Sequence, residues 1–200
     1  MAQYYLSVDL TALDVGPSAK EHKVYVAPLD PPLAVQTPPV TLASSLEDGQ
    51  TFALLETSGA FLAFVRAAEA AVLDRVVEKR AELLRRDVDP DSLRANFKSF
   101  VTDAGVLRVK VADDLAVYDA SQQVVGREEA AEGARVRCVL ELARVCFGRA
   151  EFGAVWRLTQ VQRVAASPCL ITPEPEQPDD PAEADLGEED DLADAVEDYM

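Results

Sequence analysis

Arg108 and Lys110, Arg135 and Arg137, and Arg157 and Arg163 stand in three segments where basic and apolar residues alternate. In an extended chain Leu107, Val109 and Val111 take one face, which leaves Arg108 and Lys110 on the other. Val136, Cys138, Leu140 and Leu142 likewise share a side opposite Arg135, Arg137 and Glu141, and Arg157 and Arg163 share a parity with Thr159. If the three segments are neighbouring strands, the six cations line one sheet face, a surface suited to a phosphate backbone. Trp156 and, second to it, Phe147 or Phe152 lie in the same stretch, and single-stranded bases stack on such rings. Against this, Arg, Lys and Thr are ordinary occupants of a solvated strand face, and a strand Trp is more often core than platform.

Other chemistry has little to stand on. His22 is the one histidine, set between Lys20 and Lys23 in a polar segment with no Ser or Cys nucleophile beside it in sequence. No phosphate-loop, dinucleotide or zinc-protease motif occurs. The Asp113-Asp114 pair reads as turn chemistry. The chain is therefore expected to be a non-enzyme with no metal and no organic cofactor. Cys138, Cys146 and Cys169 are odd in number and form no close pair, which reads as three small buried hydrophobes in a reducing, intracellular compartment.

Charge divides the chain in two. Pro173 to Met200 holds 13 of the 36 carboxylates and no Lys or Arg, so it carries 13 of the 17 net negative charges. The preceding residues are left nearly balanced, with 23 acids against 19 bases. Few apolar residues interrupt the acidic block, so it is expected to be a disordered tail, residues 171–200, behind a folded domain of residues 1–170. Tethered behind a cationic groove, such a tail imitates a polyanionic ligand at high local concentration. Its end, with Asp190, Asp191, Asp194, Glu197, Asp198 and Tyr199, offers charge and an aromatic anchor to partner proteins. No signal-peptide pattern or membrane-length apolar run is visible.

The elements that must position these residues are strands first, helices in the middle, then strands again. Tyr4–Leu10 alternates as a half-buried strand, and short extended pieces are predicted at Val24–Ala27, Leu33–Gln36, Val40–Ala43 and Phe52–Leu55. The prolines at 28, 31, 32, 38 and 39 argue against a central sheet position for this region. A long helix is predicted over about 58–86, with Phe61, Val65, Ala68, Val72, Val76 and Leu83 on its apolar side and Arg66, Glu69 and Arg75 opposite. Thr57 or Ser58 would cap it. A short helix follows over about 90–100, capped by Asp89. Strands return at 107–111, 117–119, 124–125, 134–148 and 155–165. The fold class is mainly β, an α+β chain or small barrel with inserted helices.

Gly105–Lys110 and Gly133–Leu142 resemble the strand meander of podophage-type single-stranded DNA-binding proteins. Phe152-Gly153-Ala154-Val155-Trp156-Arg157-Leu158-Thr159-Gln160-Val161 and Val35-Gln36-Thr37-Pro38-Pro39-Val40 are similar to segments of proteins from large DNA viruses of algae and amoebae. The resemblance implies an OB-like antiparallel barrel that coats single-stranded DNA in viral replication, recombination or repair, inside an infected host's cytoplasm or nucleus. It also implies an acidic carboxyl terminus that contacts replication proteins. Unlike the family tail, this one places Met200 after its aromatic Tyr199. Expected partners are single-stranded DNA and replication proteins, with a homodimer left open and no membrane. The competing reading is a structural or adaptor protein, such as a virion component or assembly factor, that uses the β domain for protein contacts. A third is a histone-type chaperone working through the tail.

Overall fold

A computed structural model describes residues 2–22 and 24–165. Its strands are β1 (Gln3–Tyr4), β2 (Ala19–Glu21), β3 (Val24–Gln36), β4 (Val40–Leu42), β5 (Phe52–Glu56), β6 (Val106–Tyr118), β7 (Val124–Val125), β8 (Arg135–Phe147) and β9 (Phe152–Arg163). Helices α1 (Gly59–Glu78), α2 (Arg80–Leu84) and α3 (Pro90–Asn96) are inserted between β5 and β6.

Five strands close into a ring. β4 pairs with β5, β5 with β6, β9 with β8 and β8 with β4, all antiparallel, while β6 and β9 run parallel. Closure removes the open edges that a sheet of this size would otherwise expose. The fold is thus mainly β, an OB-like barrel with inserted helices. β3 pairs with β8 but lies outside the ring, bordered in turn by β2 and β1.

One residue moves the edge of β8 from β3 to β4. Thr37 is fully buried; its N–H donates to Cys138 O and its Oγ1 accepts from Cys138 N–H, both at 2.9 Å. The side chain thereby replaces a backbone partner, and Pro38 and Pro39, which have no N–H to pair, turn the chain into β4.

The barrel interior is filled by Leu42, Leu55, Leu107, Leu140, Leu158 and Trp156, all almost fully buried. Phe61, Val65, Ala68, Val72 and Val76 of α1 join the same core, so the apolar stripe of the helix is the predicted one. The helix N-terminus is not capped as expected. Ser58 occupies the cap position without a side-chain bond, and Thr57 Oγ1 donates instead to Gly105 O at 2.7 Å.

Glu69, placed by its spacing on the solvent side, is only 3 % exposed. Its carboxylate accepts from Ser99 Oγ at 2.6 Å and from Phe100 N–H at 3.1 Å, which fastens α1 to the segment between α3 and β6. Burial pushes its pKa above the ordinary glutamate value of 4.5, and the two donors pull it only part of the way back. The Trp156 indole N–H lies near enough to favour the carboxylate, although it makes no hydrogen bond of ordinary geometry.

Three further expectations change. The 4–10 strand shrinks to β1, because Tyr5–Ser7 winds into a 3-10 turn closed by Val8 N–H donating to Tyr5 O, and Asp9, accepting from Thr11 N–H and Oγ1, holds a second turn behind it. Tyr5 is then the inward residue, edge-on to Phe61 and Phe64, while Tyr4 and Leu6 are exposed. The proline-rich stretch is a single long strand whose pairing with β8 is interrupted only between Pro28 and Leu33. Finally, α3 ends at Asn96, because Phe97 and Lys98 become extended against Phe152, with Lys98 N–H donating to Phe152 O at 2.8 Å.

Thr37→Val keeps the shape but orphans the buried Cys138 N–H, so chemical denaturation should show a loss of about 1–3 kcal/mol. For Glu69, a raised folded-state pKa means that its contribution is fully present below the unfolded value and is lost as pH rises through the folded one. Wild-type stability should therefore fall over that interval, and Glu69→Gln should flatten the decline in a denaturation series against pH.

Candidate nucleic-acid interface

β6, β9 and β8 are adjacent, so the three cation-bearing segments do form one surface. Lys110 lies opposite Arg157, and Arg157 opposite Glu141. Farther along the outer face, Tyr118 lies opposite Gln162, and Gln162 opposite Arg137. Two recesses indent this face. One, of about 230 Å³, is lined by Lys110, Glu141, Arg144, Val155 and Arg157. The other, of about 290 Å³, is lined by Gln36, Tyr118, Gln122, Arg137, Gln160 and Gln162.

Not all six predicted cations share the face. The pairing of β9 with β8 slips by one residue between Leu158 and Gln160, so Thr159 is an extra residue in the ladder. Its hydroxyl donates to Val139 O at 3.1 Å. Beyond this bulge the alternation reverses: Gln160 and Gln162 point outward and Val161 inward. Arg163 thereby takes the core-facing parity at the strand end, where Nη1 meets Glu129 at 2.5 Å. The expectation for Arg163 is corrected on that ground. Arg108 borders the face beside β5, its guanidinium 3.8 Å from the Phe52 ring centroid. Arg135 is exposed beyond Arg137, opposite Thr41 of β4.

The aromatic expectations fail for a simple reason. Trp156 is fully buried and Phe147 and Phe152 nearly so, the last two stacked at 5.4 Å between centroids. None presents a ring face for a base. The aromatic on the outer face is Tyr118, which sequence reasoning missed. The signal was available in the strand parity of Ala116 and Tyr118 around buried Val117. Arg144 was also missed, because a second slip in the ladder, between Leu142 and Arg144, turns it outward out of the simple alternation.

Electrostatically the face is only partly neutralised. Arg157 pairs with Glu141 at 2.5 Å and Arg144 with Glu21 at 3.4 Å. Among the described residues no carboxylate pairs with Lys110, Arg135 or Arg137. Cys146 is half-buried beside this face, where burial raises its pKa against the pull of Arg144 and Lys110. Cys138 is fully buried and pushed up to about 12 by desolvation. His22 is exposed at the turn between β2 and β3. Asp113 and Asp114 are exposed where the pairing of β6 with β9 is interrupted. Among the described residues no group of three His, Cys, Asp or Glu is placed to hold a metal ion. Cys169 and the tail residues Asp190, Asp191, Asp194, Glu197, Asp198 and Tyr199 lie outside the described residues.

Comparison with curated proteins finds no similar sequence. Among solved structures, the chain is similar to the single-stranded DNA-binding protein from bacteriophage Enc34 in complex with ssDNA, at 13% identity and a TM-score of 0.46 over 76% of this chain and 96% of that one. A second structure of that protein gives 13% and 0.44 over 75% and 89%. Its C-terminal truncation gives 10% and 0.45 over 76% and 96%. Likenesses of this degree carry no functional argument. The sequence match is of another order: residues 44–178, more than half of the chain, fit a family of unknown function. The chain belongs to that family, DUF5871.

Proposed function

We propose that the outer face of β6, β9 and β8 binds single-stranded DNA without strong sequence preference. The supporting observation is the cross-strand arrangement itself. Lys110 and Arg157 sit at one recess and Arg137 at the next, with Tyr118 beside Arg137 and glutamine amides between. Cations spaced along a recessed strand face follow a flexible backbone, and an accessible ring accepts a base of any identity. The amides of Gln36, Gln160 and Gln162 can hydrogen-bond base edges or phosphates without demanding one sequence. The chemistry asked of the face is binding only, so no proton or electron is transferred.

The acidic tail supplies the regulatory half of the proposal. The 13 carboxylates after Thr172 compete with DNA for the cations and, once displaced, are presented to basic partner proteins, including those of a replication machinery. With the body near charge balance, affinity for DNA rests on a few local contacts and falls steeply with salt.

Titration of labelled oligo-dT should show tighter binding by a chain ending at Thr172 than by the full chain. Each phosphate neutralised contributes a slope of about −0.7 in log affinity against log salt, so three or four contacts give roughly −2 to −3. Arg137→Glu should weaken binding and reduce the slope by at least one contact, whereas Arg163→Ala should leave both unchanged. Absence of binding by the shortened chain at low salt overturns the proposal and favours protein contacts instead. In the same assay, Tyr118→Ala should cost about 1–3 kcal/mol of affinity if the ring stacks on a base.

A further inference from the structure

Past Arg144, at the carboxyl end of β8, the surface opens into a separate cleft of about 350 Å³, at the small end of the range for ligand pockets. Its walls are Tyr25 at the start of β3, Leu83 and Leu84 of α2, Arg85, Arg86, and Phe147 with Gly148 at the end of β8. The barrel recesses contribute no residue to it.

Three properties distinguish this cleft. Leu83 and Phe147 are buried and form an apolar back wall, yet Tyr25, opposite Phe147 across the ladder, is 46% exposed. Arg85 and Arg86 are exposed, and among the described residues neither is paired with a carboxylate; nearby Asp87 is taken by Arg80. Arg85 also holds a left-handed backbone, φ 55° and ψ 23°, at the helix C-cap, where glycine is the unstrained residue.

An exposed phenol ring, an apolar wall and two guanidinia form the complement of a nucleotide. The ring takes a base, and planar guanidinium groups suit phosphate oxygens. Position points the same way. Phe147 is three residues beyond Arg144 on β8, about 10 Å along the strand and on the opposite, core-side parity, so a chain leaving the outer face reaches this cleft by turning over the strand end. We propose that the cleft is a second nucleotide-binding site, holding one base against Tyr25 and its phosphate between Arg85 and Arg86, and so extending the DNA path beyond the barrel face. This inference rests on the reading of the outer face as a single-stranded DNA surface.

The test is an oligo-dT length series, from about 4 to 16 nucleotides, measured by anisotropy with the full chain at low salt. Wild-type affinity should rise with length until the cleft is reached. R85G/R86A, in which glycine relieves the left-handed backbone, should lose about tenfold on the longer oligomers and nothing on the shortest that binds. In a Y25W variant, the longer oligomers alone should quench the new indole, because Trp156 is buried. An identical length profile for R85G/R86A and wild type overturns the inference while leaving the outer-face reading intact. No binding at any length overturns both. Quenching of Y25W by a peptide of residues 174–200, without quenching by any oligomer, assigns the cleft to acidic peptides and overturns the inference.

Discussion

The hydrogen bonding of β9 to both neighbours is the constraint on which this molecule depends. β9 runs parallel to β6 and antiparallel to β8, and among the described residues no other strand pairs with both. Without it the five-stranded ring is an open, curled sheet with two bare edges, and Trp156, the largest buried side chain, loses its enclosure. The same strand decides what the surface presents. Its extra residue, Thr159, sends Arg157 and the glutamines outward and turns Arg163 toward Glu129, so closure and surface chemistry are set by one ladder.

Much of the architecture was legible as periodicity. The three-to-four residue repeat from Phe61 to Val76 located α1 and its buried side, although the one helix expected over 58–86 breaks at Lys79 and leaves Leu83 in α2, and the two-residue repeats located the strands β6, β8 and β9, whose adjacency was only a condition of the reading. What escaped has a common cause. A bulge inserts one residue, changes no composition and can be recognised only from the partner strand, so Arg144 was missed and Arg163 was misplaced by one parity. Glu69 escaped because its burial depends on Ser99 and Phe100, some thirty residues away, supplying its hydrogen bonds. Trp156 and the phenylalanines were read as platforms because residue type states an affinity for rings without saying which way the ring faces.

The distribution of charge follows the same division between what is held and what is free. Arg75 and Lys79 are used structurally, reaching Thr11, Leu13 and Asp14 to bind the amino-terminal turns onto α1. Lys98 and Arg163 are matched by Glu151 and Glu129 at the periphery. The cations left without such duties concentrate on the outer strands and at the α2 terminus, and the largest reserve of opposite charge lies in the last 28 residues. A modestly acidic body can therefore present local positive potential, because the field a ligand meets depends on the nearest few charges once salt screens the rest.

The exchange of partners at Thr37 has an architectural corollary. Every strand of the closed ring lies between residues 40 and 163, and the family match begins at residue 44. The amino-terminal segment up to Gln36 is thus a veneer laid on the outer flank of β8, covering the core without completing the circuit. The ring is closed without that veneer, so Gln36 and Tyr25 are brought to the surface by a segment on which the enclosed scaffold does not depend for its circuit.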